Sequence, residues 1–263
     1  MDAGPVIRVR GLEARYGDEV ILRHVDLDVH RGERLAVLGG SGCGKSTLLR
    51  HLVGLAPPFA GSVVLNGVDI VRCSEGEYRE TLRGIAVLFQ SSALIGSMTV
   101  GENVALPLVA YAGLPPRAVE RIVHLKLAMV GLEGYQDHPP DALSGGMRKR
   151  AGLARALALN PGILFLDEPS AGLDPVTSAG IDELILRINA ELGTTMVIVT
   201  HELPSIFAVA QRVVMIDREA RGIIAAGDPR RLRHESPDPR VRRFFHRESP
   251  DGKRATAGNR DRK

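Results

Sequence analysis

Two kinds of apolar pattern alternate along the chain. Short unbroken aliphatic runs recur at Arg34–Leu38, Ile163–Leu166, Met196–Val199 and Val213–Ile216. Strands covered on both faces of a sheet read this way, because no position along them is left to solvent. Val6–Asp28 is different: β-branched residues mix with polar ones around the turn Tyr16-Gly17-Asp18, which predicts antiparallel strands. Ser62–Leu65 and Ile85–Phe89 are further strand candidates. Helical patterns fall between the runs, one opening at Lys45, one over Pro175–Leu192 and one from Leu203. Such alternation predicts an α/β fold, a parallel sheet with crossover helices behind an N-terminal antiparallel β segment.

From Gln90 to Pro161 the strand-like runs stop. Helical patterns at Arg117–Val130 and Gly145–Leu159 are joined by Pro115-Pro116 and Pro139-Pro140, which predicts an α-helical subdomain, about residues 91–161, inserted into the core. The expected organisation is one domain over residues 1–235 and a basic C-terminal tail over 236–263, polar and arginine-rich apart from Phe244-Phe245. A chain of 263 residues can bury a core of that size.

Charge sharpens the division. The net charge is +3, but Arg230–Lys263 holds 12 Lys/Arg against 5 Asp/Glu, leaving 22 against 26 in the body. A basic tail can meet phosphates of nucleic acid or lipid or an acidic protein surface, or be a solvated end. No apolar run approaches the roughly 18–20 residues of a membrane span, and Met1–Pro5 opens no signal peptide, so a cytosolic protein is expected. The two cysteines, Cys43 and Cys73, form no CxxC or Cys/His cluster.

The chemistry gathers in three places. Gly39-Gly40-Ser41-Gly42-Cys43-Gly44-Lys45-Ser46-Thr47 follows a strand and opens a helix, the context of a phosphate-binding (Walker A) loop. Its glycines turn backbone N–H groups toward phosphates, Lys45 would bridge the β- and γ-phosphates, and the Ser46 hydroxyl would go to Mg²⁺. Asp167 and Glu168 close the strand from Ile163, where ligands bind in parallel sheets. Asp167 would hold the Mg²⁺ shell and Glu168 would be the base that polarises the attacking water. Leu143-Ser144-Gly145-Gly146-Met147 opens another helix with Ser144 as N-cap, a second anion site. One chain has no obvious use for two γ-phosphate sites; two chains arranged head to tail would use both.

From about Val6 to Arg233 the chain resembles the nucleotide-binding subunits of ABC transporters. Walker A, Gln90, LSGG at 143–146, Ile163–Pro169, Ser170–Asp174 and Thr200-His201 stand in that family's order and spacing. The resemblance implies an ATP- and Mg²⁺-dependent ATPase working as a head-to-tail dimer. It implies that Gln90 is the lid residue sensing Mg²⁺ and water, that Asp174 lies in the D-loop across the dimer, that His201 is the switch near the γ-phosphate, and that Tyr16 stacks on adenine. Met147 departs from the glutamine usual after LSGG and lacks its amide hydrogen bonds.

Phe89–Leu94, Met98–Leu108, LSGGM and Pro237–Phe244 are together similar to the ATPases of MCE-type lipid transporters, including the maintenance-of-lipid-asymmetry (Mla) system. That resemblance implies phospholipid transport between membranes, work at the cytoplasmic face of the inner membrane, and as partners a membrane permease, an MCE-domain protein and a small cytoplasmic regulatory subunit. The apolar segment Ser91–Leu108 is the expected contact with the membrane subunit. Other readings are the ATPase of another importer or exporter, such as an amino-acid transporter, and a non-transport ABC protein on nucleic acid or the ribosome, with the basic tail as its hook. No nucleic acid is expected as a partner.

Overall fold

The computed structural model describes residues 4–248. In chain order its first elements are β1 (Ile7–Tyr16), β2 (Glu19–Val29), β3 (Arg34–Leu38), α1 (Lys45–Leu52), β4 (Ala60–Leu65), β5 (Val68–Asp69), α2 (Glu75–Arg83) and β6 (Ile85–Leu88). A helical stretch follows, with α3 (Val100–Tyr111), α4 (Pro116–Met129), a 3-10 turn at Pro140–Ala142 and α5 (Gly145–Ala156). The chain then runs through β7 (Ile163–Asp167), α6 (Pro175–Leu192), β8 (Thr195–Val199), α7 (Leu203–Val209), β9 (Arg212–Asp217) and β10 (Gly222–Gly227). It ends in α8 (Pro229–Glu235) and α9 (Pro239–His246).

The mixed polar and apolar N-terminal segment forms an antiparallel sheet of order β2-β1-β4-β5. In β1 the buried set Ile7, Val9, Leu12 and Ala14 slips by one residue at Gly11, whose φ of +55° lets the strand bulge. The Gly11 N–H, displaced from the ladder, donates to Asp26 Oδ1 at 2.7 Å. The unbroken aliphatic runs form the second sheet, order β10-β9-β3-β8-β7-β6, parallel except for β10.

Alternate residues of these strands feed different cores, as the two-residue repeat of a strand requires. Leu35 and Val37 of β3 pack with Phe165, Val197, Val199, Leu48 and Leu52 under the small sheet. Leu164, Leu166, Met196 and Ile198 face α6 and the helices of the 91–161 region. Ala36 and Leu38 turn the other way, onto Ile206, Val213 and Met215.

Two regions differ from the sequence expectation. Residues 100–111 form a helix that the pattern did not announce, because Pro107 interrupts it and Gly101 sits in its first turn. A capping box, Thr99 with Glu102, starts it. Buried Asn103 pins the preceding loop, donating to the carbonyls of Ile95, Met98 and Thr99 and accepting from the Ile95 N–H. Residues 236–248, read from the sequence as the start of a basic tail with little core-forming content, pack on the body. Asp238 caps α9, Arg240 pairs with Asp217 at 2.7 Å, and Val241 and Phe245 are buried beside Leu38 and Met215. Burial of two such side chains contributes roughly 1.5–3 kcal/mol each, enough to hold a short helix in place. Val241 and Phe245 are thus spent within the chain; the rest of the basic tail lies outside the described residues.

Candidate active site

The register of the parallel strands assembles the site. Val37 lies opposite Val199, Val199 opposite Asp167, and Leu166 opposite Leu88. The loop after β3, His201 after β8, Asp167–Glu168 at the end of β7 and Gln90 after β6 thus leave one edge of one sheet, though they are scattered along the chain.

Loop 39–44 is shaped by glycines for different reasons. Gly39 has φ +149°, and a side chain there would collide with the Ile216 carbonyl and Cys43 Sγ. Gly44 has φ +105°, and a Cβ would come 2.9 Å from Leu22 Cδ2. Gly40 has neither a left-handed φ nor any atom within 4 Å of a built Cβ, and it is exposed. Protein packing does not explain Gly40, and its open side leaves room for a ligand close to the loop backbone. Gly44 precedes α1 without a side-chain cap, so the first N–H groups of the helix are left for an anion. Lys45 Nζ folds over the loop, donating to the carbonyls of Gly39 and Gly40, both at 2.9 Å. Ser41 and Ser46 are exposed and Thr47 half-buried, while Cys43 is buried and burial pushes its thiol pKa up.

Asp167 is half-buried, and burial together with neighbouring Glu168 raises its pKa, against the pull of Lys149, Lys45 and Arg50. Glu168 sits at φ +48°, uncommon for a residue with a side chain, held by its N–H donating to Val199 O at 2.8 Å. Its Oε1 lies 2.7 Å from His201 Nδ1, and its Oε2 is buried with no partner in the protein. A buried orphan acceptor at a sheet edge fits a water or substrate. Among the described residues no three His, Cys, Asp or Glu side chains are grouped to hold a metal. One carboxylate and one hydroxyl, with nucleotide phosphates completing the shell, suit Mg²⁺, which keeps several non-protein ligands.

The Gln90 side chain is exposed, and its carbonyl accepts from Lys149 Nζ at 2.6 Å. Ser92 and Ala93 follow at φ +62° and +47°, and Arg155 donates to both carbonyls, at 2.8 and 2.7 Å. Nothing local in the sequence singles out Lys149 and Arg155 among the charges of α5; only the fold brings main-chain carbonyls to them. Tyr16 ends β1 with its ring about half exposed and its hydroxyl accepting from Arg50 at 3.0 Å, free to stack on a base.

The second anion site is built apart. Ser144 caps α5, its Oγ accepting from the Met147 N–H at 3.3 Å. A side chain at Gly146 would collide with Thr177 of α6, and one at Gly145 would crowd Leu173, so both glycines are needed for close packing. Met147 packs into the helical core, an apolar role that glutamine would not fill. Asp174 caps α6, accepting from the Val176 and Thr177 N–H groups at 3.0 and 3.1 Å. Among the described residues no hydrogen bond joins Ser144, Gly145, Gly146 or Asp174 to residues 39–47.

Residues 22–171 match the family model described as "ABC transporter". The chain is 42% identical over 94% of its length, and 70% of the relative, to "Probable ribonucleotide transport ATP-binding protein mkl" of Mycobacterium leprae. It is 38% identical over 91% of its length, and 88% of the relative, to "Intermembrane phospholipid transport system ATP-binding protein MlaF" of Escherichia coli. In structure it is similar to the ATP-binding cassette MJ0796, solved as a dimer in a post-hydrolysis state bound to ADP and Pi, with a TM-score of 0.76, 30% identity, and coverage of 84% of this chain and 98% of that one.

Proposed function

The chain belongs to the ABC transporter family as an ATP-binding, ATP-hydrolysing subunit, and on that premise we propose that it drives phospholipid movement between the inner and outer membranes as the ATPase of an MCE-type complex. The phosphates of ATP lie on the loop from Gly39 to Gly44 and the start of α1, with adenine against Tyr16. Lys45 exchanges its two loop carbonyls for β- and γ-phosphate oxygens. Ser46, Asp167 and the Gln90 side chain hold Mg²⁺, which supplies neutralising charge at the phosphates. Glu168 Oε2 accepts a hydrogen bond from the attacking water and takes its proton, while His201 holds Oε1 in place.

Each ATP is closed by Ser144, Gly145, Gly146 and Asp174 of a second copy arranged head to tail. No described helix is long and apolar enough to cross a membrane; the likeness to the E. coli intermembrane phospholipid transport subunit supports a cassette that works from the cytoplasmic face of the inner membrane through a permease. A groove of about 890 Å³ between α2, β6, α3 and α5, lined by Tyr78, Leu82, Leu106, Pro107 and Tyr111, supports docking of that permease beside the expected 91–108 segment.

The cargo reading is carried by the likeness to the E. coli phospholipid-transport subunit, which extends over nearly all of that protein. Ribonucleotide is the second reading, from the name of the mycobacterial relative, matched over a smaller share of its length. The test is purification of the native complex and reconstitution between donor and acceptor vesicles, with Glu168→Gln as control. Co-purified phospholipid, a permease and an MCE-domain protein, with ATP-dependent lipid transfer, are expected. ATPase stimulated by ribonucleotide, with no lipid moved, would replace this reading by the second.

A further inference from the structure

Lys149 is a buried lysine with no carboxylate bonded to it. It sits on α5, five residues past the Ser144 cap, and is only 6% exposed. Its Nζ donates to two main-chain carbonyls, Gln90 O at 2.6 Å and Glu168 O at 2.9 Å. These belong to the ends of adjacent strands, one leading into the lid segment and one carrying the catalytic carboxylate. Burial lowers the ammonium pKa and the nearby charges of Asp167, Glu168 and Glu202 oppose that shift. A cation is put in such a place only when it is held by strong acceptors, and two charge-assisted hydrogen bonds fix its position closely.

One turn and a half further along α5, Arg155 holds the carbonyls of Ser92 and Ala93. Both residues have left-handed backbones, a conformation that persists only where its surroundings impose it. Helix α5 therefore grips the segment from Gln90 to Ala93 at three carbonyls and Glu168 at a fourth. Glu168 itself has a left-handed φ, so the orientation of its side chain depends on what fixes its peptide groups: Val199 O at its N–H and Lys149 at its carbonyl.

We propose that Lys149 is a positioning residue that couples Ser144, at the start of α5, to Glu168 and Gln90 of the same chain. The inference rests on the shared-site reading above. In the dimer, Ser144 of one chain touches the ATP held by the other chain's loop, whereas Glu168 serves the ATP on its own loop. Lys149 thus links the two nucleotide sites: ligation at one shifts α5, and α5 resets the carboxylate at the other. Arg150 does not share this role, since its guanidinium goes to Val130 and Gly180 on the far side of the helix.

The experiment measures steady-state ATPase against ATP concentration, nucleotide affinity and thermal unfolding for the full chain, comparing wild type with Lys149→Met and Lys149→Arg. Lys149→Met should lower kcat about tenfold or more, flatten the ATP dependence to a Hill coefficient near one, and leave the affinity for ATP within about twofold. Lys149→Arg, which can still donate to both carbonyls, should recover most of kcat and the cooperativity. Where Lys149→Met does not fold, Lys149→Gln takes its place, with one amide donor on a shorter stem. Wild-type kcat and cooperativity in a folded Met or Gln variant would overturn the proposal. So would a loss of affinity and turnover together that tracks lost thermal stability and is not rescued by arginine. Glu168→Gln separates the two claims: if it hydrolyses normally the site reading itself fails, and if it is inactive while Lys149→Met is normal only the coupling fails.

Discussion

Helices α1 and α5 both present an N-terminus to solvent, and they are built in opposite ways. Behind α1 stands Gly44, left-handed and without a side chain to cap the helix, wedged against Leu22 while Gly39 is wedged against Ile216. Behind α5 stands Ser144, in extended backbone, whose own hydroxyl already accepts from Met147. The first is a finished cradle with vacant donors, backed by two sheets. The second is a capped turn, in which Ser144 Oγ accepts from the Met147 N–H and keeps its own O–H to donate to an anion. Among the described residues no hydrogen bond brings the cap at α5 to the cradle at α1 of the same chain. On the proposed shared site, closure falls to a second chain and one ATP needs two cassettes.

Substitutions should separate the two ends. The largest effect is expected from Gly39→Ala, which adds a Cβ into the Ile216 carbonyl at a backbone angle that suits only glycine. We expect a loss of about 2–3 kcal/mol of stability, read by denaturant unfolding, together with loss of nucleotide binding in a fluorescence titration. Next comes Glu168→Gln, which keeps the shape of the cradle and removes the base. ATP binding should persist while turnover falls about a hundredfold or more, measured as phosphate release. Gly146→Ala belongs to the other end: its Cβ meets the Thr177 methyl, a side-chain tip that can shift. About 1–2 kcal/mol of stability should be lost, with binding of ATP by the single chain unchanged and turnover reduced.

The smallest effect concerns α6, which backs α5 through Thr177. Asp182 on that helix is buried, one carboxylate oxygen lacks a partner, and burial raises its pKa despite a hydrogen bond from Ser205. A folded-state pKa above the unfolded one means that the neutral form is favoured by folding. Its stabilisation is complete below the unfolded pKa and is lost as pH rises through the folded one. Asp182→Asn should therefore raise the unfolding temperature slightly near neutral pH and lose that advantage in acid; a gain that grows as pH falls would contradict the assignment.

How much of this was legible in the chain varies with the range of the forces involved. Strands β3, β7 and β8 could be read directly because burial on both faces writes an unbroken apolar run. The loop from Gly39 to Thr47 could be read because its turn chemistry is local. Helix α3 was hidden by Pro107, although its capping box, Thr99 and Glu102, was present in the sequence. The packing of α9 was hidden for another reason: Val241 and Phe245 are two apolar residues among arginines, and only the face offered by β3, β9 and α7 decides that they are core. Lys149 and Arg155 look like ordinary solvated helix charges until the carbonyls of Gln90, Ser92, Ala93 and Glu168 are seen around them. Likewise Glu168 and His201 could be named from motif spacing, but their 2.7 Å contact and the vacant Oε2 needed the register of β7 and β8.

The central claim is that the cradle at α1 and the cap at α5 that share one ATP belong to different chains. Its most direct test is occlusion of labelled ATP by mixed dimers. Lys45→Ala chains and Ser144→Arg chains, each also carrying Glu168→Gln so that bound ATP is held rather than split, are prepared separately and then mixed. Sharing across chains puts both lesions in one site of the mixed dimer and leaves the other site with an intact loop and an intact cap. The account predicts that mixing creates dimers retaining one ATP per two chains on size-exclusion chromatography, where neither parent retains any. Mixed dimers that hold no more ATP than their parents would contradict it.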